Sequence, residues 1–256
     1  MSNPGPDPPM SDEPLPPMST ARLSVFGIEG LPEVRPGDVL AELIADRLAA
    51  TGESLADGDV VVVTQKVVSK AEGRLVPVDP DDPQAARALI EAESTRILRR
   101  RGELVISETR HGFVCANAGL DRSNIERGWV ALLPKDPDRS ARRIRDGLAA
   151  RTAKTVGVVV SDTFGRAWRR GVTDVAIGVA GVAAVVDLRG TTDALGAELV
   201  ATEVCVADEI AGAAELVMGK ATGIPVAVVR GVDPTWLRES SVAAEVVRTY
   251  AEDLFR

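Results

Sequence analysis

The sequence predicts a mixed α+β fold. Three observations point there: apolar strand-like runs that are short and irregularly spaced, hairpin-like stretches between amphipathic helical segments, and no internal repeat across the 256 residues. A regular doubly wound sheet would space strands and helices more evenly. With 45% hydrophobic residues, the chain is long and apolar enough to bury a substantial core.

Residues 1–20 hold seven of the sixteen prolines and no lysine or arginine, so they read as a disordered tail before one folded region over 21–256. A strand is predicted at 23–26, then a helix at 37–50, with Asp38 near its start and Leu40, Leu43, Ile44 and Leu48 on one face. The β-branched run at 59–64 reads as a buried strand leading into the loop lysines Lys66 and Lys70. Residues 82–101 read as a helix whose last turn carries Arg99, Arg100 and Arg101 as solvated partners of its dipole. Strands are predicted at 104–107, 112–116 and 129–133, a helix at 137–151 and a strand at 156–160. An apolar, glycine-spaced region over 175–186, a helix at 196–218, a strand at 225–229 and a helix at 238–254 complete the chain.

Composition excludes several classes. The net charge of −8 argues against a nucleic-acid-binding surface, so positive charge is used locally. Cys115 and Cys205 make neither a disulfide framework nor a C-x-x-C pair. The first residues have no basic region followed by an apolar one, and no apolar run is long enough to span a bilayer. A reducing cytoplasm is the expected location.

Five segments could carry chemistry. In VVVSDTFGRAWRRG, residues 158–171, a buried strand ends at Asp162 and Thr163 and opens into a loop holding Arg166, Arg169 and Arg170. A carboxylate, a hydroxyl and guanidinium groups suit a divalent metal flanked by phosphate oxygens, which makes Asp162, Arg169 and Arg170 candidate catalytic residues. Lys66 and Lys70 could be point charges for phosphates or plain solvated cations, and no G-x-x-x-x-G-K-[ST] loop accompanies them. Asp121, in a turn-rich stretch ending at Asn124, offers a second carboxylate for Mg²⁺ or Mn²⁺ but also reads as a turn former or helix cap. Thr191, Thr192 and Asp193 read as a helix N-cap cluster or a ligand loop, and the turn at Met218, Gly219 and Lys220 as a helix end or a backbone cradle. His111, the only histidine, excludes a histidine-rich zinc site and reads as a local hydrogen-bonding residue, while Cys115 reads as inert packing.

Taken together, VVVVTQKVVSKAEGR, HGFVCANAGLDRSN, VSDTFGRAWRRGVTDVAIGVAG, ATEVCVADEIAGAAELVMGK and GIPVAVVRG resemble, in order and spacing, the coenzyme F-420-0:L-glutamate ligase family, also called γ-glutamyl ligase or CofE-like. The resemblance runs over residues 23–231. It implies an α+β fold forming an intertwined homodimer, and an enzyme that uses GTP to join L-glutamate to the deazaflavin coenzyme precursor, then adds further γ-linked glutamates. The chemistry implied is phosphorylation of a carboxylate followed by attack of the glutamate amine on the acyl phosphate, with Mg²⁺ or Mn²⁺ and K⁺ as candidate cofactors. Asp121 and Asp162 match metal-binding aspartates, and Thr163 matches the ligand of a second metal. The resemblance implies nucleotide contacts at Leu31, Pro32, Glu33, Val34, Gln65, Lys66, Lys70, Asn124, Met218 and Gly219.

Lys220 departs from the pattern, because some relatives carry a metal-ligating glutamate there. The ending YAEDLFR resembles the junction to a flavin-binding domain in fused relatives, so the chain is expected to be a stand-alone ligase or the ligase half of such a protein. Two other readings compete: another metal-dependent nucleotide hydrolase or amide ligase, and a regulatory module holding a phosphate ligand on Arg166, Arg169 and Arg170.

Overall fold

The computed structural model describes residues 22–255, so the expected tail over 1–20 lies outside the described residues. Chain order begins with β1 (Ser24–Gly27), α1 (Leu40–Thr51), β2 (Val60–Thr64), α2 (Gln65–Ala71), β3 (Leu75–Pro77), α3 (Pro83–Ala92), β4 (Ser94–Arg101), β5 (Leu104–Thr109) and β6 (Val114–Ala116). It continues with β7 (Trp129–Ala131), α4 (Pro137–Thr152), β8 (Gly157–Arg166), β9 (Arg169–Ala180), β10 (Val186–Asp187), β11 (Glu203–Val204), α5 (Val206–Met218), β12 (Val226–Arg230) and α6 (Val242–Glu245). The expected mixed α+β class is what the structure has.

The main sheet runs β1-β12-β2-β8-β9, with β2 and β8 parallel and the other neighbours antiparallel. Its central strands are continuous valine runs because both faces are covered. Val61, Val63, Val158 and Val160 face the cluster built with α1 and α4, while Val60, Val62 and Val159 face the one built with α5. The valines of both clusters are buried, and each contributes about 1.5–3 kcal/mol. A three-stranded sheet β4-β5-β6 and two small pairs, β3-β7 and β10-β11, carry the remaining described strands.

Five expectations are corrected. Residues 82–101 are not one helix: α3 stops at Ala92, and Ser94, whose hydroxyl donates to Ile90 O at 2.6 Å and meets Ser107 Oγ at 2.8 Å, opens β4. The arginines at 99–101 therefore lie on a strand paired with β5, not in a last helical turn. The helix expected from 196 begins at Val206, because Gly196 adopts φ +85° and Asp193 accepts from the backbone N–H of Leu195 and Ala197. Thr191, Thr192 and Asp193 thus cap no helix.

The helix expected over 238–254 shrinks to one turn, capped by Ser241 and held by Asp138, which accepts from Val242 N at 2.9 Å and Ala243 N at 3.1 Å. The supposed arginine loop is the end of a long β8–β9 hairpin turning through Ala167 and Trp168, the latter at φ +58°. Lys66 and Lys70 belong to helix α2 instead of a loop.

Candidate functional site

The parallel pairing of β2 with β8 stops where Thr64 aligns with Ser161, and β8 continues beyond it paired with β9 alone. Chain emerging there delivers α2 from one strand and Asp162 and Thr163 from the other, a location where ligands commonly bind in open sheets with parallel strands. Asp162 Oδ1 accepts from Thr163 N at 2.8 Å. Burial, together with the negative charges of Asp121 and Asp174, raises its carboxyl to about 7 despite the Thr163 N–H and the Lys220 ammonium.

Asp121 comes from the loop after β6, fixed by its backbone exchange with Ala131 at 3.0 and 2.9 Å. Its carboxylate accepts from Ser123 N at 2.7 Å and Ser123 Oγ at 2.8 Å and pairs with Lys66 Nζ at 3.0 Å. Burial acts to raise its pKa, but these Ser123 bonds and the Lys66 charge hold the carboxyl below the usual range.

Sequence reasoning missed a third carboxylate. Asp174 sits on β9 directly across from Thr163 and is 3% exposed. It accepts from Ser161 Oγ at 3.0 Å and from Thr163 Oγ1 at 2.6 Å. A polar residue opposite a site strand was legible only with the hairpin pairing, because a single Asp among Thr and Val looks like an outward strand position.

Beside this centre lies a groove of about 610 Å³ lined by Glu33, Pro36, Lys70, Asn124 and Trp129, among others. Lys70, on α2, ion-pairs with Glu33 from the loop after β1. Asn124, in the left-handed region at φ +51°, donates through Nδ2 to Lys220 O at 3.1 Å. Three expected nucleotide contacts, Glu33, Lys70 and Asn124, therefore share one cavity, and the Asn124–Lys220 bond ties its wall to the carboxylate centre.

Other expected positions stand elsewhere. Pro32 is exposed, whereas Leu31 is half-buried against the core and Val34 belongs to it. Gln65 is buried, donating to Ser69 Oγ at 2.7 Å and Leu132 O at 3.0 Å while its Oε1 has no partner. The Met218 side chain is core, so only its backbone and that of Gly219, at φ +55°, face the turn. Arg169 pairs with Arg166 at the exposed hairpin end, with Arg170 next to it, four strand positions along from Asp162, or roughly 13 Å at ~3.3 Å per residue. Within one chain they are not brought to the carboxylates.

His111 meets Pro134 O through Nε2 at 2.9 Å, and burial followed by the Arg110 charge pushes its pKa down. Cys115 is buried, its thiol pushed up to about 12 by burial and the Asp162 charge. The Cys115 thiol is therefore not an activated nucleophile.

Chemically, the centre offers hard oxygens. Among the described residues no three His, Cys, Asp or Glu side chains stand as a ready metal cage. Two carboxylates and a hydroxyl nonetheless fit Mg²⁺ or Mn²⁺, which binds through one or two carboxylates and leaves positions for phosphate and water. The raised Asp162 carboxyl marks a place where added positive charge is favoured. Among the described residues no helix is long and apolar enough to cross a membrane.

A family model described as F420-0:Gamma-glutamyl ligase matches residues 29–231. The chain is 42% identical over 250 residues to the coenzyme F420:L-glutamate ligase of Methanothermobacter thermautotrophicus, covering 91% of this chain and 99% of that protein. It is 43% identical over 249 residues to the protein of the same name from Archaeoglobus fulgidus, covering 92% of this chain and 97% of that one.

Proposed function

The chain belongs to the F420-0:gamma-glutamyl ligase family, and from that premise we propose that it is the ligase that joins L-glutamate to the precursor of coenzyme F420, drawing on GTP. The carboxylate of the precursor is a poor electrophile. Its oxygen attacks the γ-phosphorus of GTP, GDP leaves, and an acyl phosphate forms. The glutamate amine then attacks the acyl carbon, the C–O bond to phosphate breaks, and inorganic phosphate departs as the amide forms. Repetition at the γ-carboxylate of the added glutamate extends the chain.

Phosphoryl transfer of this kind needs positioning and charge neutralisation more than covalent help. Lys70 and Asn124, which line the groove, would receive the nucleotide, with Glu33 giving up Lys70 to a phosphate. Lys66 keeps the Asp121 carboxylate oriented. Asp121 and Asp162 would hold Mg²⁺ or Mn²⁺, which supplies neutralisation of phosphate charge when bound; Thr163 would stand at the position of a second metal, and K⁺ is a further candidate. Arg169 and Arg170, on the exposed arm, are assigned to anionic substrate groups, and the arm itself supports an intertwined homodimer that would bring them to a site.

The observation that carries this reading is the convergence of Glu33, Lys70 and Asn124 on one cavity joined to the Asp162 centre, in a chain whose family model is a glutamyl ligase. The test incubates pure protein with GTP, Mn²⁺, L-glutamate and the deazaflavin precursor and follows glutamylated product by mass spectrometry. Product that requires all three substrates is expected. GTP hydrolysis indifferent to glutamate would favour a nucleotide hydrolase instead, and no phosphate release a binding module.

A further inference from the structure

Lys220 is fastened at both ends. Its carbonyl accepts from Asn124 Nδ2 at 3.1 Å, which ties its main chain to the loop that carries Asp121. Its ammonium donates to Thr163 Oγ1 and lies 3.9 Å from Asp174 Oδ1, which ties its side chain to the β8–β9 hairpin. The residue thus crosses the mouth between the two walls that supply the acidic groups.

The charge at the Asp174 end needs a cation. Asp174 is almost wholly buried, and its hydrogen bonds from Ser161 and Thr163 come from neutral hydroxyls. A buried carboxylate held only by hydroxyls keeps an uncompensated charge, which is costly unless an opposite charge stands nearby. Lys220 is that charge.

The Thr163 hydroxyl is also largely used. It has one proton and two lone pairs: the proton goes to Asp174 Oδ1 and one lone pair receives the Lys220 N–H. An ammonium has three N–H donors; Thr163 takes one, and Asp174 at 3.9 Å is an ion-pair partner beyond hydrogen-bond distance, so an N–H remains for a ligand oxygen.

We propose that Lys220 is a tethered cation: its ammonium occupies the Thr163–Asp174 face in place of a divalent metal, so each chain binds a single metal, at the Asp121–Asp162 side, and presents the remaining N–H of Lys220 to a phosphate oxygen. This rests on the metal reading given above. Lys220 is a positioning residue for phosphate charge, and Asp174 positions Lys220.

Mn²⁺ binding alone, without turnover, tests it. Calorimetric titration of the intact chain is expected to give one Mn²⁺ per chain. Lys220→Glu, which exchanges the ammonium for a carboxylate at an exposed position, is expected to give two, and adding Thr163→Val to that variant is expected to return the count to one. Thermal melts of each variant identify any that fails to fold, and Lys220→Met, expected to keep a single tight site and to raise the KM for GTP at least tenfold, provides an independent reading. Two Mn²⁺ on the wild-type chain overturn the inference, as does one Mn²⁺ on both wild type and Lys220→Glu, which leaves the metal reading standing. No Mn²⁺ on either removes both.

Discussion

Replacing Asp162 by Asn is expected to stabilise the metal-free protein at alkaline pH while abolishing turnover. The folded state raises this carboxyl from its ordinary 3.8 to about 7, chiefly by burial and then by the charges of Asp121 and Asp174. The folded chain therefore binds the proton more tightly than the unfolded chain, and stability falls as pH rises between roughly 4 and 7. The rise spans about three pH units, or ~4 kcal/mol at about 1.36 kcal/mol per unit. Partial contact with water lowers that, so the penalty above pH 7 is about 2–4 kcal/mol. Asn keeps the acceptor that Thr163 N uses at 2.8 Å and carries no charge, so the variant escapes the penalty.

Urea unfolding of both proteins in chelator at pH 5 and pH 8 measures it. The variant should gain about 2–4 kcal/mol over wild type at pH 8 and much less at pH 5. A variant less stable than wild type at pH 8, or a difference that does not change with pH, would refute the reasoning. Such a trade of stability against activity is common where function needs strained or crowded charge.

Two further outcomes are expected. Lys70→Ala should raise the KM for GTP by roughly ten- to a hundredfold with a smaller effect on kcat, since Lys70 lines the groove and its partner Glu33 is exposed; an unchanged KM counts against the groove as the nucleotide site. The hairpin arm leaves Trp168 86% exposed and Val172 open, so sedimentation velocity at micromolar concentration should find a two-chain particle, and a single-chain mass would remove the homodimer.

The legible part of the fold was the part set by local pattern. Val60 to Val63 and Val158 to Val160 read as buried strands because both their faces are packed, and nothing but apolar residues fits there. What escaped was set by tertiary partners. Helix α2 follows a valine strand in a β-branched stretch, and its Gln65 and Ser69 reach Leu132 O across the fold, a contact 63 or more residues away in sequence. Period-two alternation is absent from 94–101, where irregularities between Ser94 and Arg96 and between Ile97 and Arg99 break the register, and its arginines suit helices equally well.

At the site, Asp121 was legible as an acidic residue in a turn and Asp162 as one following a buried valine run, although that strand continues past it to Arg166. Asp174 was not, because its role exists only through its pairing with Thr163 across the hairpin. Lys220 stood out in the sequence as a departure, while its two anchors emerged only from the fold.

The most direct test of the central claim labels the precursor carboxylate with ¹⁸O and runs the GTP-dependent reaction with L-glutamate in unlabelled water. Activation as an acyl phosphate is expected to deliver one ¹⁸O atom to the released phosphate for each amide formed, read by mass spectrometry of phosphate and product together. Unlabelled phosphate accompanying amide formation, or phosphate released with no amide at all, would contradict it.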